Sequence, residues 1–309
     1  MSVMSLEDFI GKEEIKRLIR FKIESAKKEG KKLPNMIISG PGGTGKTTLA
    51  HIIATEMGVK IHEYSARTLV RPETFNQAVY NVNKGEILFI DEIQDLDKKL
   101  WTLLYKVMEE NMLPLNYGGQ PVNAILEDFT VLGATTDVGI LSTSLVDRFD
   151  GGHIQIGNYS NDDIKALYKV RISVSSISET ALNMLAKAAR GTPRVAVGIS
   201  KHVNSFINLY SLTSFDDVNA SQALELIGID KYGLNTNDRE YIRILGEVFP
   251  LRAVAIDTIE GIIGIDKKTI QSDHEPFLMS EGYLIKSGRG RALTDKGLKL
   301  HKSMITGNN

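Results

Sequence analysis

Asn35-Met36-Ile37-Ile38-Ser39-Gly40-Pro41-Gly42-Gly43-Thr44-Gly45-Lys46-Thr47-Thr48 is the segment from which the rest of the chain can be read. Its first half is a short apolar run closing on glycine, the pattern of a strand buried on both faces of a parallel sheet. From Lys46 to Met57 the apolar spacing becomes helical. Between them, Gly40–Thr47 fits G-x-x-x-x-G-K-[ST], a phosphate-binding loop. Its glycines, Gly42, Gly43 and Gly45 among them, let backbone N–H groups turn inward around a phosphate that a side chain would obstruct. The start of the following helix, with Thr44, Thr47 and Thr48 about it, adds positive potential. Lys46 is expected to reach the β- and γ-phosphates, and the Thr47 hydroxyl to ligate Mg²⁺. Eight such residues alone could be a glycine-rich turn; a strand before and a helix after favour the phosphate loop.

Working outward, Glu86-Ile87-Leu88-Phe89-Ile90-Asp91 is a second buried-strand pattern, and Phe129-Thr130-Val131-Leu132-Gly133-Ala134 a third. Strands separated by helical stretches imply a parallel α/β sheet with its site at the strands' C-terminal ends. The second strand ends in Asp91-Glu92. An acidic pair at a strand end is weak by itself, since exposed strand ends often carry Asp or Glu. After a phosphate loop it has a chemical reason: Asp91 would hold the Mg²⁺ shell and Glu92 would polarise the attacking water as general base. The expected ligand is therefore ATP with Mg²⁺, and the expected reaction hydrolysis.

Composition bounds the alternatives. A chain of 309 residues with 42% hydrophobic and 24% charged residues is an ordinary globular protein of two or three domains. Lys and Arg (37) balance Asp and Glu (38), so any nucleic-acid surface must be local. The absence of cysteine excludes disulfides, thiolate metal sites and cysteine nucleophiles, and suits a reducing cytoplasm. No stretch approaches the ~18 apolar residues of a membrane span.

The rest of the chain changes character twice. Residues 6–30 carry apolar positions three and four apart, as in an amphipathic helix. After about residue 156 the strand runs stop, and 161–228 reads as several helices, with Asn161-Asp162-Asp163 capping the first and Gly191-Thr192-Pro193 opening another. Beyond Lys231 short helices give way to Gly282–Lys286 and Gly290–Thr294 around a glycine-rich turn, which suggests a winged helix. The expected division is 1–156, 157–230 and 231–309. From Lys286 onward there are six basic residues (Lys286, Arg289, Arg291, Lys296, Lys299, Lys302) and one acidic, Asp295. Gly288-Arg289-Gly290-Arg291 would be a wing tip presenting guanidinium groups to phosphates, with Lys286 beside it. A solubilising basic tail is the plainer alternative. With no aromatic array or base-reading helix in view, sequence-independent DNA binding is expected.

With these residues placed, the chain resembles the AAA+ ATPases, and within them the RuvB family of Holliday junction branch-migration motors. The likeness runs through Leu6–Gly11, Gly45–His51, Glu56–Val59, Leu88–Ile93, Phe129–Thr136, Asp147-Arg148-Phe149, Arg190–Arg194, Glu275–Leu278, Glu281–Leu284 and Gly288–Arg291. It implies a large ATPase domain, a helical lid and a winged helix. It also implies that Thr135 acts as a sensor of the γ-phosphate. Arg148 would be an arginine finger inserted into a neighbour's site, and Arg194 a second sensor on the lid. Ile10 and Tyr159 would pack the adenine. A finger acting in trans implies a homo-oligomer, which in this family is a six-membered ring on the arms of a four-way junction.

Some positions depart from the family pattern. The family usually has Asp-Glu-Ile-His-Arg after the second strand, and this chain has Asp91-Glu92-Ile93-Gln94-Asp95. Val146 replaces the first arginine of Arg-Asp-Arg-Phe. The segment Leu113–Val122, where the family docks its junction-binding partner RuvA, is shorter and different in sequence. A clamp-loader-like switch, which assembles another protein on DNA without translocating, is the alternative; it would be favoured by a C-terminal collar helix, for which no pattern is present. A non-catalytic DNA-binding scaffold is disfavoured by the intact Lys46, Thr47, Asp91, Glu92 and Arg148.

Overall fold

The computed structural model describes residues 5–117 and 120–305. Its strands, in chain order, are β1 (Met36–Ser39), β2 (Ile61–Ser65), β3 (Ile87–Asp91), β4 (Met112–Tyr117), β5 (Gln120–Ile125), β6 (Thr130–Thr135), β7 (His153–Gln155), β8 (Ser176–Ile177), β9 (Ser214–Phe215), β10 (Leu284–Ser287) and β11 (Gly290–Leu293). Five of them form one parallel sheet in the order β2-β3-β6-β1-β7. The three expected strands are the three central ones, and the edges β2 and β7 join them. β1 is buried along its whole length, as is β6, because helices cover both faces of the sheet. One face buries Phe75, Leu100, Leu104 and Val107 against Leu88, Ile90 and Val131.

Contacts divide the chain into two compact units, Met1–Leu167 with Gly191–Val197, and Tyr168–Arg190 with Gly198–Asn309. The expected helical middle and winged helix therefore fall largely in one unit. Within it, the Arg190 guanidinium binds the fully buried Asp238 and stacks on Phe277, and Lys187 pairs with Glu281 at 2.9 Å. The amphipathic segment at the start is a turn at Leu6–Asp8 followed by a helix at Glu13–Glu29. Helix Asn161–Arg171 is capped by Ser160, whose hydroxyl exchanges hydrogen bonds with Asp163, rather than by Asn161 itself.

The C-terminal module packs helices Thr236–Arg243, Ile256–Ile263 and Glu275–Ser280 with the antiparallel hairpin β10–β11 around Tyr241, Ile259, Leu278 and Leu284. The last segment is a helix, Asp295–Ile305, that buries Leu300 in the same core. The β4–β5 hairpin pairs Met112–Tyr117 with Gln120–Ile125; its tip, Gly118-Gly119, lies outside the described residues.

Candidate active site

The phosphate loop follows β1 and closes on itself. Thr44 is fully buried, and its hydroxyl donates to the Pro41 carbonyl at 2.9 Å. Gly45 caps helix Lys46–Met57 with φ 100°, a left-handed conformation that a side chain resists. A Cβ there would also sit 3.2 Å from the Phe9 ring. Gly43, at φ 79°, carries the Arg194 segment against it: the Arg194 N–H donates to the Gly43 carbonyl at 3.2 Å, and a Cβ on Gly43 would lie 2.8 Å from Arg194 Cβ. Gly42 is exposed with open space beside it, and Thr47 and Thr48 are half-buried in the first turn of the helix.

Lys46 is buried, and its ammonium folds back over the loop to donate to the Gly40 carbonyl at 2.8 Å. Burial lowers its pKa from the ordinary lysine value, with Glu92 and Asp91 opposing that shift and Arg194 adding to it. Three expected site residues, Glu92, Asp91 and Arg194, thus act on the ammonium of a fourth, which is the electrostatic sign that they converge. The Thr47 hydroxyl points at Asp91 Oδ2 across 3.4 Å, bringing together one hydroxyl and one carboxylate oxygen. Hard oxygen donors of this kind fit Mg²⁺, which takes most of its remaining ligands from phosphate and water. Among the described residues no group of three or more carboxylates, imidazoles or thiolates forms a metal cage.

Glu92 stands at the end of β3 with φ 50°, outside the region a glutamate prefers. Strain of this kind, of order 1–3 kcal/mol, persists where surrounding contacts hold it. Here Ile93 is fully buried beneath the turn, and Asp95 donates its N–H to the Glu92 carbonyl at 2.8 Å. The turn is tied further by Arg67, whose Nε lies 2.7 Å from Asp95.

Two expectations change. Thr135 is fully buried and its hydroxyl is engaged with the backbone of Asp137, donating to the carbonyl and accepting from the N–H, both at 3.1 Å. The hydroxyl that faces the site is that of Thr136, 3.4 Å from Glu92 Oε2. Thr135 is the last residue of β6 and lies in the sheet, whereas Thr136 is the first residue beyond the strand, so a shift of one changes which hydroxyl is presented. The second correction is Arg291, which is 7% exposed and holds Glu275 through Nε at 2.7 Å and through a second nitrogen at 3.2 Å. Its backbone also exchanges two 2.8 Å hydrogen bonds with Val254. A side chain so committed is part of the module's core, held inward rather than presented on the hairpin's surface. Lys286 and Arg289 remain exposed on the hairpin.

Arg148 has its partners on helix Lys98–Glu110: its guanidinium stacks 4.3 Å from the Tyr105 ring centroid, with Nε 2.7 Å from Glu109 though not aligned to donate to it. Another nitrogen donates to the Ser144 carbonyl at 2.5 Å. None of these is a residue of the phosphate loop or of the Asp91-Glu92 pair. Tyr159 is buried, meets Phe9 edge-on at 6.5 Å and donates its N–H to the Gly191 carbonyl; Ile10 lies beside Phe9 in the chain, half-buried. Lys12 reaches the same place, 4.6 Å over the Tyr159 ring and 2.7 Å from the Asn158 carbonyl. Phe9, Lys12, Gln94 and Thr136 were not singled out as site residues by sequence; tertiary contacts mark Phe9, Lys12 and Thr136, and a local side-chain bond to Glu92 marks Gln94.

Known proteins resemble this arrangement throughout. A family profile described as the Holliday junction DNA helicase RuvB P-loop domain matches residues 1–154, and one for the RuvB C-terminal winged helix domain matches 231–302. The Holliday junction branch migration complex subunit RuvB of Thermotoga petrophila is 33% identical over 301 residues, 96% of this chain and 90% of its own length. The corresponding subunit of Phytoplasma mali is 34% identical over 305 residues, covering 97% and 92%. The solved Thermotoga maritima RuvB Holliday junction branch migration motor superposes with a TM-score of 0.81 at 33% identity, covering 96% of this chain and 97% of that one. Likeness of this extent, carried on an intact phosphate loop and acidic pair, shows that the chain belongs to the RuvB family of P-loop ATPases.

Proposed function

We propose that this chain is the ATP-driven motor subunit of a Holliday junction branch-migration machine. The observation that carries the reading is the joint one: full-length family likeness together with Lys46, Asp91, Glu92 and Arg194 gathered on one phosphate loop. ATP sits with its phosphates in the Gly42–Thr48 cradle and its adenine against Ile10 and Tyr159. Thr47 and Asp91 hold Mg²⁺, which neutralises charge on the phosphoryl oxygens when bound. Glu92 takes the proton of the attacking water, with Thr136 beside it, and Arg194 couples the phosphate end to the following helix. Arg148 serves the site of the next copy in a hexameric ring. Lys286 and Arg289 bind the phosphates of junction arms without reading sequence. The β4–β5 hairpin is the docking element for a RuvA-like partner. The functional division is 1–156, 157–230 and 231–309, and the setting is the cytoplasm; no helix among the described residues is long and apolar enough to cross a membrane.

The test is ATP-dependent dissociation of a synthetic four-way junction with homologous arms, by wild type and Lys46→Ala, with and without a RuvA-type partner. Dissociation by the wild type alone or with the partner, absent in Lys46→Ala, is the expected result. ATP hydrolysis without junction processing under either condition would instead support a loader-like switch.

A further inference from the structure

Gln94 lies in the turn that follows the acidic pair, and its side chain folds back onto it. Its Nε2 donates to Glu92 Oε2 at 2.5 Å and stands 3.5 Å from the Thr136 hydroxyl, which itself lies 3.4 Å from the same Glu92 oxygen. Three side chains from two strand ends thus close a triangle on one carboxylate oxygen. The reverse orientation of the carboxamide would set oxygen against carboxylate, so the nitrogen is the atom facing Glu92. The amide oxygen is buried and meets no donor among the described residues, so the direction of this side chain is set by what its nitrogen meets, Glu92 first and Thr136 second. The turn itself is already closed by backbone bonds, Asp95 N–H to the Glu92 carbonyl and Leu96 N–H to the Ile93 carbonyl, so the Gln94 side chain is not needed to staple it.

We propose that Gln94 is a positioning residue for hydrolysis: it fixes the rotamer of Glu92 through one N–H, so that the other carboxylate oxygen, Oε1, is the one presented to the attacking water. The proposal rests on Glu92 being the general base. Fixing matters here because Glu92 starts from a left-handed backbone with a long side chain and few neighbours to define it. The charges around it are Asp91, which accepts the Glu92 N–H at 3.0 Å, and Lys46 and Arg67, both within its electrostatic reach. All three act through charge at a distance or on the backbone; the neutral amide of Gln94 is the contact that sets direction. It orients without adding a formal charge to the site.

The experiment measures kcat, KM and nucleotide affinity by a fluorescent ATP analogue for Gln94→Leu, Gln94→His and Glu92→Gln, and for Gln94→Leu combined with Glu92→Gln. Gln94→Leu keeps the side chain's bulk and removes the donor; about a tenfold fall in kcat with unchanged affinity is expected. Gln94→His restores an N–H at similar reach and should recover most of the rate. In the Glu92→Gln background the Gln94→Leu loss should vanish, because a residue that acts through another has nothing left to orient. A wild-type kcat in Gln94→Leu, or an equal further loss in the Glu92→Gln background, overturns the proposal. If Glu92→Gln itself hydrolyses ATP at the wild-type rate, it is the assignment of the base that fails, and the two failures are told apart.

Discussion

Arg291→Ala separates the two roles that a basic wing can have. In the folded protein its guanidinium grips Glu275, whose side chain is 1% exposed, and that carboxylate also accepts a hydrogen bond from the Tyr241 hydroxyl at 3.1 Å. The hydrogen bond to Glu275 raises the Arg291 pKa above its ordinary value, and burial pushes the Tyr241 phenol up, so the arginine stays charged and the phenol stays neutral. Removing the arginine strands a carboxylate in the core, which costs about 3–5 kcal/mol. For a unit of this size that is a fall of roughly ten degrees or more in melting temperature. Calorimetry of the full chain should show the loss, and Arg291→Met combined with Glu275→Leu should recover most of it, because an apolar pair of similar volume avoids the desolvation of both ions. Arg289→Ala is the control: on an exposed turn it should change stability by no more than about 0.5 kcal/mol. Its effect should fall on DNA instead, weakening junction binding and reducing the salt slope by about one. Wild-type melting of Arg291→Ala, with junction affinity falling in step with Arg289→Ala, would refute the assignment of Arg291 to the core.

The other expectations concern the ATP site. Thr136→Val should lower kcat about a hundredfold, the scale of losing one polar group aimed at the reacting centre. Thr135→Val should instead cost about 1–3 kcal/mol of stability through the stranded Asp137 backbone; the reverse pattern of kinetics and melting would return the sensing role to Thr135. Arg148→Ala should bind nucleotide normally and lose about a thousandfold in turnover. Mixing it with Lys46→Ala should restore hydrolysis, since each copy supplies what the other lacks, and no complementation would mean the finger does not act between copies. Lys46 gives a pH dependence whose sign follows from its environment. Its pKa is lowered by burial in the free protein and raised again by bound phosphates, so nucleotide binding takes up protons wherever the free lysine has begun to deprotonate. Affinity should hold at neutral pH and fall as pH rises through the window between those two values, with proton uptake visible by calorimetry in buffers of different ionisation enthalpy. Affinity that stays flat into the alkaline range, with no uptake, would contradict it.

How far the molecule could be read from its sequence follows burial. β1, β3 and β6 are continuous apolar runs because they sit in the middle of the sheet, and all three are legible. β2 (Ile61-His62-Glu63-Tyr64-Ser65) and β7 (His153-Ile154-Gln155) lie at its two edges, half-exposed, and their polar residues hide them. The phosphate loop is local in sequence, so its residues could be named individually. The partners of the acidic pair could not: Thr136 reaches Glu92 only when β3 and β6 lie side by side, and Gln94, two residues on, turns back to it only because of the tight turn at Glu92. Arg291 was misread for the same reason: its counter-charge, Glu275, is 16 residues away on a helix, and nothing in Gly288-Arg289-Gly290-Arg291 distinguishes the arginine that turns inward from the one that stays out. The left-handed backbone of Glu92 also has no sequence signal, since that conformation is uncommon for residues other than glycine, asparagine and aspartate.

Movement of a single junction is the decisive observable. A cruciform extended between a surface and a magnetic bead lengthens or shortens by a fixed step for each base pair exchanged. In the presence of a RuvA-type partner and ATP, the wild type should drive steady, directional movement. Glu92→Gln should remain bound to the junction and hold it still. Movement in both proteins alike, or continued ATP hydrolysis by the wild type over a junction that never moves, would contradict a motor powered at this site.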